Sequence, residues 1–187
     1  MSDSDLKIFC RQVRKRSQEN REALCLLHRN ALLGPAISIL RQELDSLVRC
    51  IFLLAQNKRY REQLIHDSAI GNPWRKKNGK GRVTDKDMVD LTMSHTLHGW
   101  TRSVYKFGCG FIHLSALHDY SVRDPFDMLS AEERRDIADH VRSYHHVEIT
   151  ASTKLREIEF VLPAVFTKIS DNLECYVIEL EDGSDGP

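Results

Sequence analysis

A regular spacing of large apolar side chains is the feature that most constrains the fold of this chain. In residues 36–54 these side chains recur at three- and four-residue steps, which gives a helix with one broad apolar face. The positions are Ile37, Leu40, Leu44, Leu47, Ile51 and Leu54. A second stripe follows the same steps at Ile158, Leu162, Val165, Ile169, Leu173, Tyr176 and Leu180. The sequence therefore predicts at least two long helices that pack through these faces.

Helical patterns also cover most of the remaining chain. We expect helices at residues 4–29, 58–67, 85–98, 100–118 and 131–144, besides the two stripes. The last helix should begin near Thr150 or Thr153, and Pro163 should kink or divide it. No segment has the pattern of a strand. The sequence predicts an all-α fold, a helical bundle of about five to seven helices in a single domain over residues 1–187.

Local signals mark where several helices begin. Gly34-Pro35 interrupts the first apolar pattern, and Pro35 suits the start of the next helix. Thr84 and Asp87 form a Thr-x-x-Asp variant of the capping box. Ser130-Ala-Glu-Glu133 matches the capping box itself and predicts a helix from Ala131.

Composition indicates a globular protein without a membrane segment. The 187 residues are 41% hydrophobic and 29% charged, and no apolar run approaches the roughly 18 residues that span a bilayer. The amino terminus is acidic, unlike a secretory signal. The five cysteines are widely separated and form no Cys-x-x-Cys, so neither a disulfide framework nor a cysteine zinc site is predicted. We expect a cytoplasmic protein.

Charge is distributed unevenly along the chain. Residues 1–82 contain 17 Lys and Arg against 8 Asp and Glu, a balance of +9, and residues 83–187 contain 10 against 19, a balance of −9. Either the basic half binds anions or the two halves pack together and neutralise each other. The densest basic run, Arg75-Lys-Lys-Asn-Gly-Lys-Gly-Arg82, lies in a predicted flexible loop at 71–83, where Trp74 could stack on a base. The acidic tail at 181–187 is predicted to be disordered.

Seven of the nine histidines lie between His95 and His146. Histidine is the side chain most readily used as an acid, a base or a metal ligand near neutral pH. A continuous helix would align the following residues on one face: His95, His98, Arg102, Tyr105, Cys109 and His113. Three interpretations remain open: structural rings between helices, a metal site at His95-x-x-His98, or an arginine–histidine pair that cleaves RNA. There is no His-Glu-x-x-His motif.

The segment Arg135-Asp-Ile-Ala-Asp-His140 resembles the signature of HEPN domains, in which four to six residues separate an arginine from a histidine. The resemblance implies a small helical bundle that faces its copy across a dimer interface, with metal-independent ribonuclease activity in toxin and phage-defence systems. It makes Arg135 a phosphate clamp and His140 the general acid or base, and Asp136 could orient His140. Arg102 and His113 are further candidates. Neither a cofactor nor a metal is implied.

Two other matches accompany this motif. The segment Arg61-Glu-Gln-Leu-Ile-His66 matches the same pattern of an arginine and a histidine separated by four residues. The sequence therefore leaves open which of the two arginine–histidine pairs is functional. Arg41-Gln-Glu-Leu-Asp45, followed by Tyr105 and the segment 111–118, is similar to a pattern in some HEPN-related bacterial proteins of unassigned role.

Three functions follow from these observations. The first is a HEPN-like protein that acts as a metal-independent ribonuclease or as an RNA-binding component of a toxin or phage-defence system. The second is a non-catalytic helical protein that acts through an interface, with a second copy of itself or with a protein partner. The third is a metal-dependent hydrolase with histidine ligands. RNA and a homodimer are the expected partners, and no membrane is expected.

Overall fold

Seven α-helices form the described part of the chain, which comprises residues 3–93 and 100–183 of a computed structural model. The helices are α1 (Asp3–Arg29), α2 (Leu33–Leu54), α3 (Lys58–Ala69), α4 (Asp85–Met93), α5 (Trp100–Ile112), α6 (Ala131–His145) and α7 (Leu162–Glu181). Four short 3-10 turns lie at Ala116–His118, Pro125–Met128, Leu155–Glu157 and Glu159–Val161. No strand occurs in these residues, so the predicted all-α bundle is confirmed.

Helix α2 occupies the centre of the bundle. It packs against α1, α7, α5 and α4, and sixteen of its 22 residues are buried. A helix with neighbours on several sides must be apolar around most of its circumference. In α2 the predicted apolar stripe covers one face, and buried Val48, Phe52 and Leu53 extend the apolar surface beyond it. This central position also buries two charged residues of α2, Arg41 and Glu43.

Helices α1 and α7 run antiparallel and are joined by ion pairs between the two halves of the chain. Arg14 bonds Glu174 at 2.8 Å and Glu181 at 2.7 Å, and Arg21 donates to Ser170 Oγ at 2.6 Å. Cations of the basic half therefore meet carboxylates of the acidic half. These contacts agree with the interpretation in which the two halves neutralise each other.

Both capping signals are present as predicted. Thr84 and Asp87 exchange hydrogen bonds at the start of α4, with distances of 2.7–3.2 Å. Ser130 and Glu133 form a complete capping box at the start of α6. These short side-chain bonds satisfy backbone N–H groups that have no partner within the helix.

Two predicted helices differ from the structure at their ends. The final helix begins at Leu162, not near Thr150, because Pro163 fits the first turn of a helix but would remove a hydrogen bond further inside. Helix α5 ends at Ile112, and Ser115 then caps a separate turn. Residues 94–98 of the predicted 85–98 helix lie outside the described residues, as do residues 184–187 of the acidic tail.

None of the seven helices in the described ranges combines the length and the apolarity that crossing a bilayer requires.

Candidate functional site

The predicted Arg135–His140 pair is not brought together. Arg135 is exposed to solvent, whereas His140 is 5% exposed and lines a small, partly open cavity of about 60 Å³. The other walls of that cavity are mostly apolar side chains of α2, α5 and α7 and of the turns before α7. Two residues five positions apart differ by about 140° around a helix, so one faces the core when the other faces water.

Burial also changes the acid–base behaviour of His140. Its removal from water, together with nearby His145 and Lys168, lowers the pKa of His140 from 6.5 to about 4. The ring packs against Tyr144 and His145. Near pH 7 His140 is therefore a neutral core side chain, and a group with so low a pKa is a weak general base.

The other predicted site residues are spread over separate surfaces. Arg102 is exposed and pairs with Asp90 at 3.5 Å, and His113 is exposed beyond the end of α5. Asp136 accepts a hydrogen bond from Ser103 Oγ at 2.7 Å, which ties α6 to α5. His95 and His98 lie outside the described residues.

The alternative pair Arg61–His66 has the inverse arrangement. Arg61 is buried and donates to the Gln56 carbonyl oxygen, whereas His66 is exposed and bonds Asp5 at 3.0 Å. Its spacing of five residues again places the two side chains on different sides of the helix. In each matching segment, therefore, one of the two residues is buried and the other is exposed to solvent.

No three histidine, cysteine or carboxylate side chains in the described residues lie close enough together to hold a metal ion. The described residues thus give no support to the hydrolase hypothesis. His95 and His98, on which it depended most, lie outside them.

A polar site does form elsewhere, where α2 meets α1, α4 and α5. We call it the arginine cluster. It consists of Arg16, Arg41, Asp45, Arg49, Asp85 and Tyr105. Arg49 Nε donates to Asp45 Oδ2 at 3.0 Å, and Arg16 donates to the same oxygen at 3.2 Å. Arg41, Asp45 and Arg49 follow each other at four-residue steps, a spacing that lets them pair along one side of α2. Tyr105 of α5, which belongs to the same sequence pattern as Arg41 and Asp45, joins them in space.

Arg41 is the buried centre of this cluster. Its side chain is 5% exposed, and its guanidinium carbon lies 3.5 Å from the centre of the Tyr105 ring. Nε of Arg41 contacts Cys109 Sγ at 3.4 Å. Gly108 leaves room for the arginine stem, since a Cβ at that position would lie 2.7 Å from Arg41 Cβ. A glycine in α5 thus permits the close approach of a charged side chain.

The outer side of the cluster is formed by Asp85, the first residue of α4. Arg41 reaches Asp85 Oδ2 at 3.2 Å, and Arg49 reaches Oδ1 at 3.3 Å. Tyr105 donates its hydroxyl hydrogen to Asp85 Oδ2 at 3.0 Å. The carboxylate of Asp85 therefore accepts bonds from three side chains on two other helices.

Electrostatics fix the protonation states in the cluster. Burial alone would raise the pKa of Asp45, but Arg49, Arg16 and Arg41 hold it below its ordinary value. Burial raises the pKa of Tyr105 further above neutral, with Asp85 adding to the effect and Arg41 opposing it. Asp45 is thus ionised and Tyr105 is a phenol, which donates a hydrogen bond.

Sequence reasoning missed a second buried carboxylate beside the cluster. Glu43 is fully buried between α1 and α2, where it accepts hydrogen bonds from Ser17 Oγ and, at 2.9 Å, from Asn20 Nδ2. The signal was available: Glu43 lies three residues after Leu40 and four before Leu47, so it shares the apolar face of α2, and a carboxylate buried there needs donors from a neighbouring helix.

Next to the arginine cluster, residues 74–83 form what we call the basic hairpin. Arg75 and Arg82 are joined in an antiparallel bridge, Lys76 N donates to Gly81 O at 3.1 Å, and Val83 N donates to Trp74 O at 2.9 Å. Four of its cations are exposed and form no ion pair within the described residues. These hairpin cations are Arg75, Lys77, Lys80 and Arg82.

Trp74 anchors the hairpin to the core. Its side chain is buried, its ring stacks on Phe52, and its indole N–H donates to Ser68 Oγ at 2.7 Å. Arg49 of the arginine cluster lies 5.3 Å from the centre of the Trp74 ring. The expectation that Trp74 stacks on a base is therefore wrong, because the ring is already enclosed by protein.

Between the hairpin and α3 lies an open cleft of about 450 Å³. Its lining includes Tyr60, Gln63 and Asp67 of α3 and Lys76 and Lys77 of the hairpin. Lys76 pairs with Asp87 at 2.8 Å, whereas Arg75 and Lys77, which also line the cleft, are exposed and available to an external anion. The surface around the cleft is positively charged.

Comparison of the whole chain with protein-family models, with curated proteins and with solved structures gives no significant match.

Proposed function

We propose that this protein binds single-stranded RNA through the basic hairpin. The observation that carries this proposal is the display of four exposed cations, none of them paired with a carboxylate of the described residues, on a short hairpin. The two ends of the hairpin are hydrogen-bonded, and buried Trp74 anchors its base. Contacts with phosphates supply most of the affinity of non-specific nucleic-acid binding. A hairpin whose two ends are hydrogen-bonded to each other has less conformational freedom to lose on binding than an open loop has.

The surroundings of the hairpin extend the same positive surface. Lys58 and Arg59 are exposed at the start of α3, beside Tyr60, whose hydroxyl bonds the Arg75 carbonyl oxygen. The cleft between α3 and the hairpin gives a strand a path along these cations. Together these features favour a ligand with several phosphates over one with a single charge.

Binding, as opposed to cleavage, is the activity that the side chains support. The ribonuclease interpretation needs Arg135 and His140 at one phosphate, yet the first is exposed and the second is buried and neutral. A place in a toxin or phage-defence system remains a prediction from the HEPN resemblance.

Fluorescence anisotropy with a labelled single-stranded RNA tests the proposal. We expect binding at low salt. The logarithm of the binding constant should fall linearly with the logarithm of the salt concentration, with a slope of about −0.7 for each phosphate contact. Changing the four hairpin cations to glutamine should weaken binding by at least tenfold and flatten the salt dependence. A matched control changes four exposed cations elsewhere, namely Arg29, Arg123, Arg135 and Arg156.

The control is informative because both variants lose four positive charges. Equal weakening by both would show only a net-charge effect and would overturn the proposed site. A denaturing gel of the same RNA incubated with protein in EDTA separates binding from cleavage: RNA that stays intact agrees with the proposal, and RNA that is cut by the parent but not by His140→Ala supports the ribonuclease instead.

A second candidate function is self-association through the segment that follows α5. Leu114 is 94% exposed and Val122 is 78% exposed, and Ile112 is also exposed at the end of α5. Several strongly exposed apolar side chains within one short segment favour an interface. Light scattering over a range of concentrations should show a dimer that the double change Leu114→Ser and Val122→Ser dissociates. A parent that stays monomeric at every concentration rejects this function.

A further inference from the structure

Asp85 holds an unusual position in the arginine cluster. Its side chain is 43% exposed, whereas the guanidinium it bonds, that of Arg41, is almost completely buried. The bonds to Asp85 come from Arg41, Arg49 and the hydroxyl of Tyr105, and all three converge on one carboxylate from the protein side. The outward side of that carboxylate faces water. Three donors thus meet at a position that an external anion can reach.

The charges of the cluster are not balanced. Three guanidinium groups and two carboxylates give a net charge of +1. Asp45 is 13% exposed and is enclosed by Arg16, Arg41 and Arg49. Without Asp85 the inner part of the cluster would carry three positive charges and one negative charge, a balance of +2. A phosphate group with about two negative charges matches that balance.

We propose that Arg41, Arg49 and Tyr105 form a phosphate-binding site that the carboxylate of Asp85 occupies in this structure. The planar guanidinium presents paired donors whose geometry suits phosphate as well as carboxylate. A phosphate offers more acceptor oxygens than a carboxylate and can bond both arginines and the tyrosine hydroxyl together. Asp85 then acts as a built-in competitor, and an incoming phosphate group displaces it towards solvent.

The site is separate from the RNA-binding surface proposed above, although Arg49 adjoins Trp74 at the base of the hairpin. Its donors are partly or fully buried, whereas the hairpin cations are exposed. The inference therefore does not rest on RNA binding, and changes to the hairpin cations leave its donors intact.

Isothermal titration with inorganic phosphate tests the inference, with the shift in melting temperature as a second measurement. Asp85→Ala removes the competitor and should bind phosphate at least tenfold more tightly than the parent. Asp85→Asn keeps the shape of the side chain but removes its charge, so it should also increase the affinity for phosphate. If the alanine variant does not fold, the asparagine variant provides the test. Adding Tyr105→Phe or Arg49→Gln to either variant should weaken phosphate binding several-fold.

Asp87→Ala is the matched control, because Asp87 lies in the same turn of α4 but pairs with Lys76 and Thr84. It should bind phosphate as weakly as the parent does. Equal affinities of the folded Asp85 and Asp87 variants would overturn the inference. The inference would also be overturned if sodium chloride raised the melting temperature as much as phosphate does at the same ionic strength. That result would show only general screening of charge.

Discussion

Helices α2 and α6 both carry arginine motifs, but their arginines have very different surroundings. On α2, Arg41 is buried, stacks on Tyr105 and bonds Asp85, which are residues of two other helices. On α6, Arg135 is exposed, and His140, its predicted partner, faces the core. In both helices the motif is defined by the spacing of its residues along a single helix. Only on α2 do neighbouring helices supply groups that complete a site.

The two helices also differ in what stabilises them. Residue Leu32 before α2 provides no side-chain cap, and α2 is held by burial against neighbouring helices on several sides. Helix α6 begins with a complete capping box and is far more polar than α2. Its only buried residues are Ile137, His140 and Val141. Tertiary contacts therefore define α2, whereas local signals contribute more to α6.

Arg41→Ala should have the largest effect on stability. It removes a buried guanidinium, its stacking on Tyr105 and its bond to Asp85, and we expect a loss of about 3–5 kcal/mol in the free energy of unfolding. The matched change on α6, Arg135→Ala, should alter it by no more than about 0.5 kcal/mol, because Arg135 is exposed. Urea denaturation followed by circular dichroism measures both. Similar losses for the two variants would remove the contrast between the helices.

Much of the fold could be predicted from the sequence, because apolar spacing and caps act over a few neighbouring residues. The stripe at Ile37–Leu54 and the box at Ser130–Glu133 are examples, and both are present in the structure. The start of the last helix could also have been placed better, since Pro163 is favourable in a first turn.

The candidate site was much harder to predict. The four-residue steps between Arg41, Asp45 and Arg49 indicate pairing along α2, but Asp85 and Arg16 reach them only through tertiary packing. No spacing rule relates residue 16 to residue 45 or residue 49 to residue 85. Conversely, the separation of Arg135 from His140 followed from helix geometry alone, because five residues turn a helix by about 140°.

The pH dependence of stability should report the burial of His140. An unfolded histidine has a pKa near 6.5, and burial lowers the pKa of His140 to about 4. Between these values the unfolded chain binds more protons, so the free energy of unfolding is highest above pH 6.5 and falls as pH decreases towards 4. One pKa unit corresponds to about 1.4 kcal/mol, so the difference between 6.5 and about 4 limits the loss to roughly 3–4 kcal/mol.

His140→Leu isolates this contribution, because leucine does not titrate. The variant should lose less stability than the parent between pH 7 and pH 4.5 in urea titrations at each pH. His113→Asn, which removes an exposed histidine, should follow the parent curve. If His140→Leu retains the full pH dependence of the parent, then the buried ring is not its source, and the contrast with exposed Arg135 loses its support.

Gly108→Ala tests the close contact between α5 and α2 with a smaller expected effect. The added Cβ would lie 2.7 Å from Arg41 Cβ, and that stem is held in place by bonds to other helices. Overpacking of about 1–3 kcal/mol should outweigh the gain of about 1 kcal/mol that alanine gives in a helix.

Gly110→Ala is the matched control on the same helix. Its Cβ would meet Leu117 Cδ1 at 2.2 Å, but this atom is the far end of a flexible side chain on a partly exposed turn, which can move away. The melting temperature should fall for Gly108→Ala and change little for Gly110→Ala. An equal fall for both would mean that the Arg41 stem is no more rigid than the end of Leu117.

Ser130→Ala should give the smallest effect and tests how far local signals hold α6. The serine hydroxyl accepts a hydrogen bond from Glu133 N at 3.2 Å, and Glu133 bonds back to Ser130 N at 3.1 Å. Loss of such a cap costs about 1 kcal/mol. Ser143→Ala, the same change at an exposed position near the end of α6, should be close to neutral. Thermal unfolding distinguishes the two, and equal stability of both variants would mean that packing of Ile137 and Val141 alone determines α6, as burial determines α2.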